Sequence, residues 1–173
     1  MFLETNNEKI LEIFMKKPTE GFQIRDIVRL SKLGNPTVTR VLAKLKAKGL
    51  VKKTKGRVYP YYEANLDSYL FKKLKLACNL LSLEKLIKKI VAKTRPNCVV
   101  LFGSAAKGED TEKSDIDLFV QSRRQEVNAN KTEKLLNRKI NLLFEPEIKK
   151  LGKELRNNLA NGIVVYGFFE VVK

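Results

Sequence analysis

The chain has 173 residues, with 35 Lys and Arg against 19 Asp and Glu, which gives a net charge of +16. It contains no histidine, so histidine-based acid–base catalysis and zinc sites with histidine ligands are excluded. Hydrophobic residues make up 43% of the sequence, enough for a folded core. No apolar run reaches the roughly 18 residues that span a membrane.

The N-terminal residues and the cysteines predict where the protein resides. The sequence MFLETNNEKI lacks the basic and then apolar layout of a secretory signal. Cys78 and Cys98 stand outside any CxxC motif, so we interpret them as reduced, packed side chains. A cytoplasmic protein is therefore expected.

The positive charge is concentrated in the first half of the chain. Residues 1–65 carry 14 basic and 6 acidic side chains, whereas residues 96–173 carry 13 and 11. A basic half favours contact with a polyanion. A generally lysine-rich composition would give the same total, and charge alone does not separate these explanations.

Residues 1–65 show three helical patterns followed by a hairpin pattern. Apolar residues recur at helical spacing in NNEKILEIFMKKP, FQIRDIVRLSKLG and NPTVTRVLAKLKAKGL. Two short β-type runs flank Lys55-Gly56 in LVKKTKGRVYPYYEA. Together with Gly49-Leu50-Val51 between the last helix and the hairpin, this order resembles a winged helix-turn-helix domain.

Polar residues of residues 1–65 predict binding to nucleic acid. They lie off the apolar stripe of the third helix or in the hairpin, where they can meet a groove and phosphates. The predicted DNA-binding residues are Thr37, Thr39, Arg40, Lys44, Lys52, Lys53, Lys55 and Arg57. Helices often carry lysine on solvated faces, so a protein–protein module of the same shape stays open as an alternative.

Residues 66–94 are predicted to form a helical linker. Leucine and isoleucine keep helical spacing while lysines fill the other face, and Ser82 offers a start for a second helix. Winged-helix proteins are often dimers, so by analogy this segment could supply a homodimer interface.

From residue 95 onwards, short apolar runs alternate with helical stretches. The runs CVVLFG, DIDLFVQ, KINLLF and GIVVYGF predict strands, and KTEKLLNR and PEIKKLGKELRNNLANG predict helices. The predicted fold class is therefore α+β, in which a winged helix domain (1–65) precedes a small α/β domain with a mixed sheet (95–173).

Two acids lie side by side at the start of the predicted strand IDLFV. Because strand side chains alternate, Asp115 and Asp117 project to one side, and their charges repel unless a cation lies between them. Mg²⁺ accepts such carboxylates together with substrate phosphates. Upstream, Gly103 permits a sharp turn, after which Ser104 and the following amides open a helix whose N-terminus suits a phosphate.

The segment GSAAKGEDTEKSDIDLFV resembles the signature of the DNA polymerase beta-like nucleotidyltransferases, most closely the minimal nucleotidyltransferases, in which Gly-Ser precedes Asp-x-Asp by ten residues. The resemblance implies a small α/β nucleotidyltransferase fold with a mixed sheet. It also implies Mg²⁺ or Mn²⁺ bound by the two aspartates, and a nucleoside triphosphate as substrate or ligand. It also implies transfer of a nucleotidyl group with release of pyrophosphate. The implied nucleotide-binding residues are Gly103, Ser104, Lys107, Gly108 and Ser114.

One position departs from this family. The resemblance implies a third acid on the next strand, which helps to activate the attacking hydroxyl. The matching stretch here is Arg138-Lys139-Ile140-Asn141, so Asn141 takes the third catalytic position beside Asp115 and Asp117. Asparagine keeps an oxygen ligand but cannot take a proton. Glu145 shares the face of Asn141 but lies about 13 Å further along the strand.

Two functions follow from these observations. The first is a nucleotidyltransferase that binds nucleic acid through its winged helix, and DNA is the expected nucleic acid. Its acceptor would be a protein hydroxyl, as in minimal nucleotidyltransferases that adenylylate a partner toxin, or RNA or a small molecule. The second is a DNA-binding regulator whose degenerate pocket binds nucleotide without turnover. A scaffold that uses both domains for protein contacts is a third interpretation, which the intact acidic pair disfavours.

Overall fold

A computed structural model describes residues 5–56 and 58–169, and the chain divides into two compact units, residues 1–75 and 76–173. The first unit contains the three helices and the hairpin that the sequence pattern predicts. They are α1 (Asn6–Lys16), α2 (Ile24–Ser31), α3 (Asn35–Ala47), β1 (Val51–Thr54) and β2 (Tyr61–Ala64). Local chemistry explains the helix starts: Thr5 and Glu8 form a capping box before α1, and Pro36 occupies the first turn of α3.

The core of the first unit joins the helices to the hairpin. Phe14 of α1 packs edge-to-face on Phe22, with ring centroids 5.6 Å apart. The backbone of Phe22 in turn pairs with Tyr62 of β2. The buried apolar positions of α3 are the predicted stripe, Val38, Val41, Leu42 and Leu45. Burial of this stripe turns the remaining side chains of α3 towards solvent.

Helix α4 (Tyr69–Thr94) runs without a break for 26 residues. Ser82, the predicted start of a second helix, lies inside α4 because its Oγ donates to the Cys78 carbonyl one turn earlier, at 2.8 Å. Leu83, Leu86 and Ile90 are buried in the core of the second unit, so this part of the predicted linker belongs to a folded domain. Within residues 5–56 and 58–169, no helix is long and apolar enough to span a membrane.

The second unit is built on a four-stranded sheet of order β5-β4-β3-β6. The strands are β3 (Cys98–Phe102), β4 (Ile116–Val120), β5 (Ile140–Phe144) and β6 (Ile163–Gly167). β3 runs antiparallel to β4 and β6, while β4 and β5 are parallel. The connecting elements are α5 (Gly103–Lys107), α6 (Asn130–Leu136), a 3₁₀ turn (Ile148–Lys150) and α7 (Lys153–Ala160). The predicted α+β class with a mixed sheet is confirmed.

The two faces of the sheet have different roles. Ile116, Leu118 and Val120 of β4 pack into one core with α4 and α5. Phe119 points to the opposite face and packs with residues around α7. Asp117 shares the face of Phe119 because strand side chains alternate, so it lies on the face away from α4.

Cys98 is predicted to resist thiol reagents in the native protein. It is fully buried, and burial raises the pKa of its thiol to about 11. At pH 8 only about one molecule in a thousand would carry the reactive thiolate. In a Cys78→Ser variant, 5,5′-dithiobis(2-nitrobenzoate) should therefore titrate no thiol before denaturant is added and one thiol afterwards. Rapid modification of the native variant would contradict the burial of Cys98.

Candidate functional site

The two aspartates lie at the start of β4. Asp117 is the second residue of the strand, and Asp115 immediately precedes the strand. Asp117 is opposite Phe102 of β3 on one side and Asn141 of β5 on the other. Asp115 is exposed and Asp117 is half-buried. The pair therefore lies at one end of the two central strands, open to solvent.

The turn after β3 brings the backbone close to Asp117. Gly103 has φ +73°, a left-handed conformation that other residues rarely adopt. A Cβ at this position would lie 3.0 Å from Oδ2 of Asp117. Glycine therefore allows the Gly-Ser turn and the acidic pair to share one site.

The remaining predicted nucleotide-binding residues follow this turn. Ser104 is half-buried and Lys107 is exposed on α5, a helix of only five residues that Gly108 ends at φ +69°. The Oγ of Ser114 accepts a hydrogen bond from the Thr111 amide at 2.9 Å, so this hydroxyl stabilises the loop before Asp115. Ser104 and Lys107 thus remain the candidate phosphate donors near the turn.

Asn141 contacts both carboxylates. Its Nδ2 donates to Oδ1 of Asp117 at 2.9 Å and to Oδ2 of Asp115 at 3.3 Å. The amide group thereby places a partial positive charge between two negative groups, a role that a cation would otherwise have. The parallel register puts Asn141 directly beside Asp117, on the neighbouring strand where the third acid is expected.

No other acid in the described residues completes the site. Glu145 accepts a hydrogen bond from the Glu147 amide at 3.0 Å, and Glu147 forms an ion pair with Lys150 at 2.7 Å. Within residues 5–56 and 58–169, no group of three acidic or cysteine side chains is arranged to hold a metal. Two carboxylates and an amide oxygen, after rotation of the Asn141 amide, suit one Mg²⁺ ion. A second metal ion would lack the third carboxylate, because Asn141 stands in its place.

Sequence patterns assigned no role to three polar residues beneath this site. Asp110 is 1% exposed and forms an ion pair with Arg138. Asn79 of α4 donates to Asp110 at 3.0 Å. Asp110 and Arg138 lie in the two quoted motif segments, but neither was assigned a role there, and only the folded chain brings them together with Asn79.

The predicted nucleic-acid residues lie on the surface of the first unit. Thr39, Arg40 and Lys44 are exposed on α3, whereas Thr37 is half-buried. The hairpin residues Lys52, Lys53 and Lys55 are also exposed, and Arg57 lies outside the described residues.

Two of the hairpin lysines have partners within the chain. Lys52 forms an ion pair with Asp67 at 2.7 Å, and its hydrogen bond and charge lower the pKa of that carboxyl. The Nζ of Lys53 lies 6.0 Å from the ring centroid of Tyr62. Arg40 and Lys44 are four residues apart on one helical face, so their side chains are neighbours on the surface of α3.

Comparison with known families found a match within the second unit. Residues 84–167 match the family model described as Polymerase beta, Nucleotidyltransferase. The match begins inside α4 and ends at the last residue of β6, so it contains the Gly103 turn, the acidic pair and Asn141. It supports placing this unit in the polymerase beta-like nucleotidyltransferase superfamily, whose general reaction is nucleotidyl transfer. A search of curated proteins gave no match.

Proposed function

We propose that this protein binds a nucleoside triphosphate with Mg²⁺ or Mn²⁺ at Asp115 and Asp117 and transfers its nucleotidyl group to an acceptor. The observation that carries the proposal is the contact geometry of Asp117. Its carboxylate lies against the Gly103 turn, and Asp115 projects to the same side within a domain that matches the nucleotidyltransferase family.

The roles of the residues follow from their chemistry. Asp115 and Asp117 would hold the cation, which neutralises phosphate charge when it is bound. The Ser104 hydroxyl would donate to a phosphate oxygen, and Lys107 would add positive charge. The acceptor hydroxyl would lose its proton to solvent as its oxygen forms a bond to the α-phosphorus. The bond between the α-phosphorus and the oxygen that bridges to the β-phosphate breaks, and pyrophosphate leaves. A protein, RNA or small-molecule hydroxyl fits this chemistry.

One observation favours a second function, a regulator that binds nucleotide without turnover. Asn141 occupies the third position and cannot accept the proton of an acceptor hydroxyl. Its amide already donates to both aspartates. Such a protein would use its nucleotide pocket to control nucleic-acid binding by the first unit.

Labelled nucleotides distinguish the two functions. The full chain is incubated with α-³²P nucleotides, Mg²⁺ or Mn²⁺ and a cell lysate, alongside Asp117→Ala and Asn141→Asp. Transfer in the wild type that Asp117→Ala abolishes supports the enzyme. Transfer by Asn141→Asp alone supports a binding pocket that lost its activating acid. Absence of label transfer in both the wild type and Asn141→Asp supports the regulator.

We also propose that the first unit is a winged helix domain that contacts DNA through α3 and the hairpin. The three helices, the antiparallel hairpin and the exposed Arg40 and Lys44 support this proposal. The ion pair between Lys52 and Asp67 makes Lys52 the least available of the hairpin lysines.

Removal of Arg40 or Lys44 is predicted to weaken DNA binding and its dependence on salt. If each side chain neutralises one phosphate, each alanine variant should lower the slope of log K against log salt by about 1. Gel shifts on genomic fragments at several salt concentrations measure this slope. The control Lys131→Ala removes an exposed lysine from the second unit and should bind as the wild type does. Equal slopes for all four proteins would contradict the proposed interface.

A further inference from the structure

A buried ion pair lies beneath the loop that carries Asp115. Nη1 of Arg138 is 2.5 Å from Oδ2 of Asp110, and the side-chain exposures are 9% for Arg138 and 0% for Asp110. Buried charges are costly unless they are paired and hydrogen-bonded. The mechanism proposed above uses neither residue, so their burial needs another explanation.

Arg138 also binds two consecutive backbone carbonyls. Its Nε donates to the carbonyl of Ser114 at 2.7 Å, and its Nη2 donates to the carbonyl of Asp115 at 3.2 Å. A guanidinium is a rigid planar fork, so its three bonds fix their acceptors relative to one another. One side chain therefore sets the backbone on which the Asp115 carboxylate is mounted.

Asp115 lacks the strand pairing that fixes Asp117. The first pair between β4 and β5 is Ile116 with Ile140, one residue after Asp115. Asp117, in contrast, is paired on both sides, with Phe102 and Asn141. The Ile116 amide donates to the Lys139 carbonyl at 2.9 Å, and Arg138 adds contacts to the Ser114 and Asp115 carbonyls just before this bond.

The other end of the network is fixed by α4. Nδ2 of Asn79 donates to Oδ1 of Asp110 at 3.0 Å and to the Ala105 carbonyl of α5 at 3.1 Å. The two oxygens of Asp110 therefore join Asn79 to Arg138. The cluster connects α4, α5 and the loop before β4 within the second unit.

We infer that Arg138 is a positioning residue that holds Asp115 in the orientation in which it shares a cation with Asp117. This inference rests on the proposed metal-nucleotide site. Lysine at position 138 keeps a positive charge beside Asp110, but one ammonium group cannot reproduce the fixed fork to three acceptors. Arg138→Lys should therefore separate positioning from charge compensation.

The test is calorimetric titration of the full chain with a preformed complex of Mn²⁺ and inorganic tripolyphosphate. Loss of a partner that orients a metal ligand costs about 10–100-fold in affinity, and Arg138→Lys is expected to weaken binding by this factor. Arg123→Lys, an exposed arginine of the same unit, is the matched control and should bind as the wild type does. Circular dichroism checks that each variant is folded. If Arg138→Lys does not fold, the pair Asp110→Asn/Arg138→Gln replaces it, with the same expected loss.

A double-variant cycle separates positioning from a general structural effect. If Arg138 acts through Asp115, adding Arg138→Lys to Asp115→Ala should weaken binding no further. Independent, additive losses would overturn the inference, as would wild-type affinity in a folded Arg138→Lys protein; both outcomes leave the metal site intact. Failure of the wild type to bind the complex would overturn both this inference and the proposed function.

Discussion

Replacement of Asp117 by alanine is expected to weaken metal-dependent triphosphate binding by more than about 100-fold. Loss of a residue that only orients a metal ligand already lowers metal affinity by about 10–100-fold, and Asp117 is proposed to bind the metal directly. The half-buried carboxylate lies beside both the Gly103 turn and Asn141, and without it Asp115 would be the one remaining proposed carboxylate ligand. Calorimetric titration with magnesium–nucleotide complexes measures the change, and label transfer should fall with it.

A second aspartate provides the control for this prediction. Asp67 lies in the first unit and is exposed, so Asp67→Ala removes the same charge from a different place. It should leave nucleotide affinity unchanged. If both variants lose affinity equally, binding reflects the overall charge of the protein. If neither does, the site lies elsewhere.

Asn141→Asp is expected to destabilise the metal-free protein and to be rescued by Mg²⁺. The substitution removes an amide that donates to both aspartates and brings a third negative charge beside them. Loss of such bonds costs roughly 1–3 kcal/mol. For a unit of this size, each kcal/mol lowers the melting temperature by about 4–8 °C. A bound cation should recover this stability because it binds only the folded site.

Thermal unfolding in EDTA and in Mg²⁺ measures this effect. Asn157→Asp on the exposed surface of α7 is the matched control, since surface substitutions usually change stability by less than about 0.5 kcal/mol. A metal-free Asn141→Asp protein as stable as the wild type would show that the amide does not compensate the carboxylates. Destabilisation that Mg²⁺ leaves unchanged would argue against a cation between them.

The secondary structure was largely predictable from local patterns. The strands β3 to β6 are apolar runs bounded by polar or glycine-containing segments, and the stripe of α3 has a clear helical period. The order and direction of the strands were not predictable, because a short apolar run carries no information about its partner. Ser82 shows a related limit, since serine can cap a helix or bond to the preceding turn inside one.

The sequence predicted that the Gly103 turn and the two aspartates lie together, but it did not predict their contacts. The spacing between Gly103-Ser104 and Asp115-Ile116-Asp117 indicated a shared pocket. The approach of Gly103 to Asp117 depends on the pairing of Phe102 with Asp117, which only the folded sheet defines.

The surroundings of the aspartates depend on tertiary structure as well. The bridging amide of Asn141 depends on the parallel register of β4 and β5. The cluster of Asn79, Asp110 and Arg138 joins three separate segments, so no local pattern could indicate it.

The metal-nucleotide site is tested most directly by calorimetric titration of the wild-type chain with inorganic tripolyphosphate, in Mg²⁺ and in EDTA. A protein with net charge +16 attracts any polyanion, so binding in EDTA sets the background. We expect saturable binding, near one equivalent per chain, that requires Mg²⁺ and disappears in Asp117→Ala. Equal binding with and without Mg²⁺, or binding unchanged in Asp117→Ala, would contradict it.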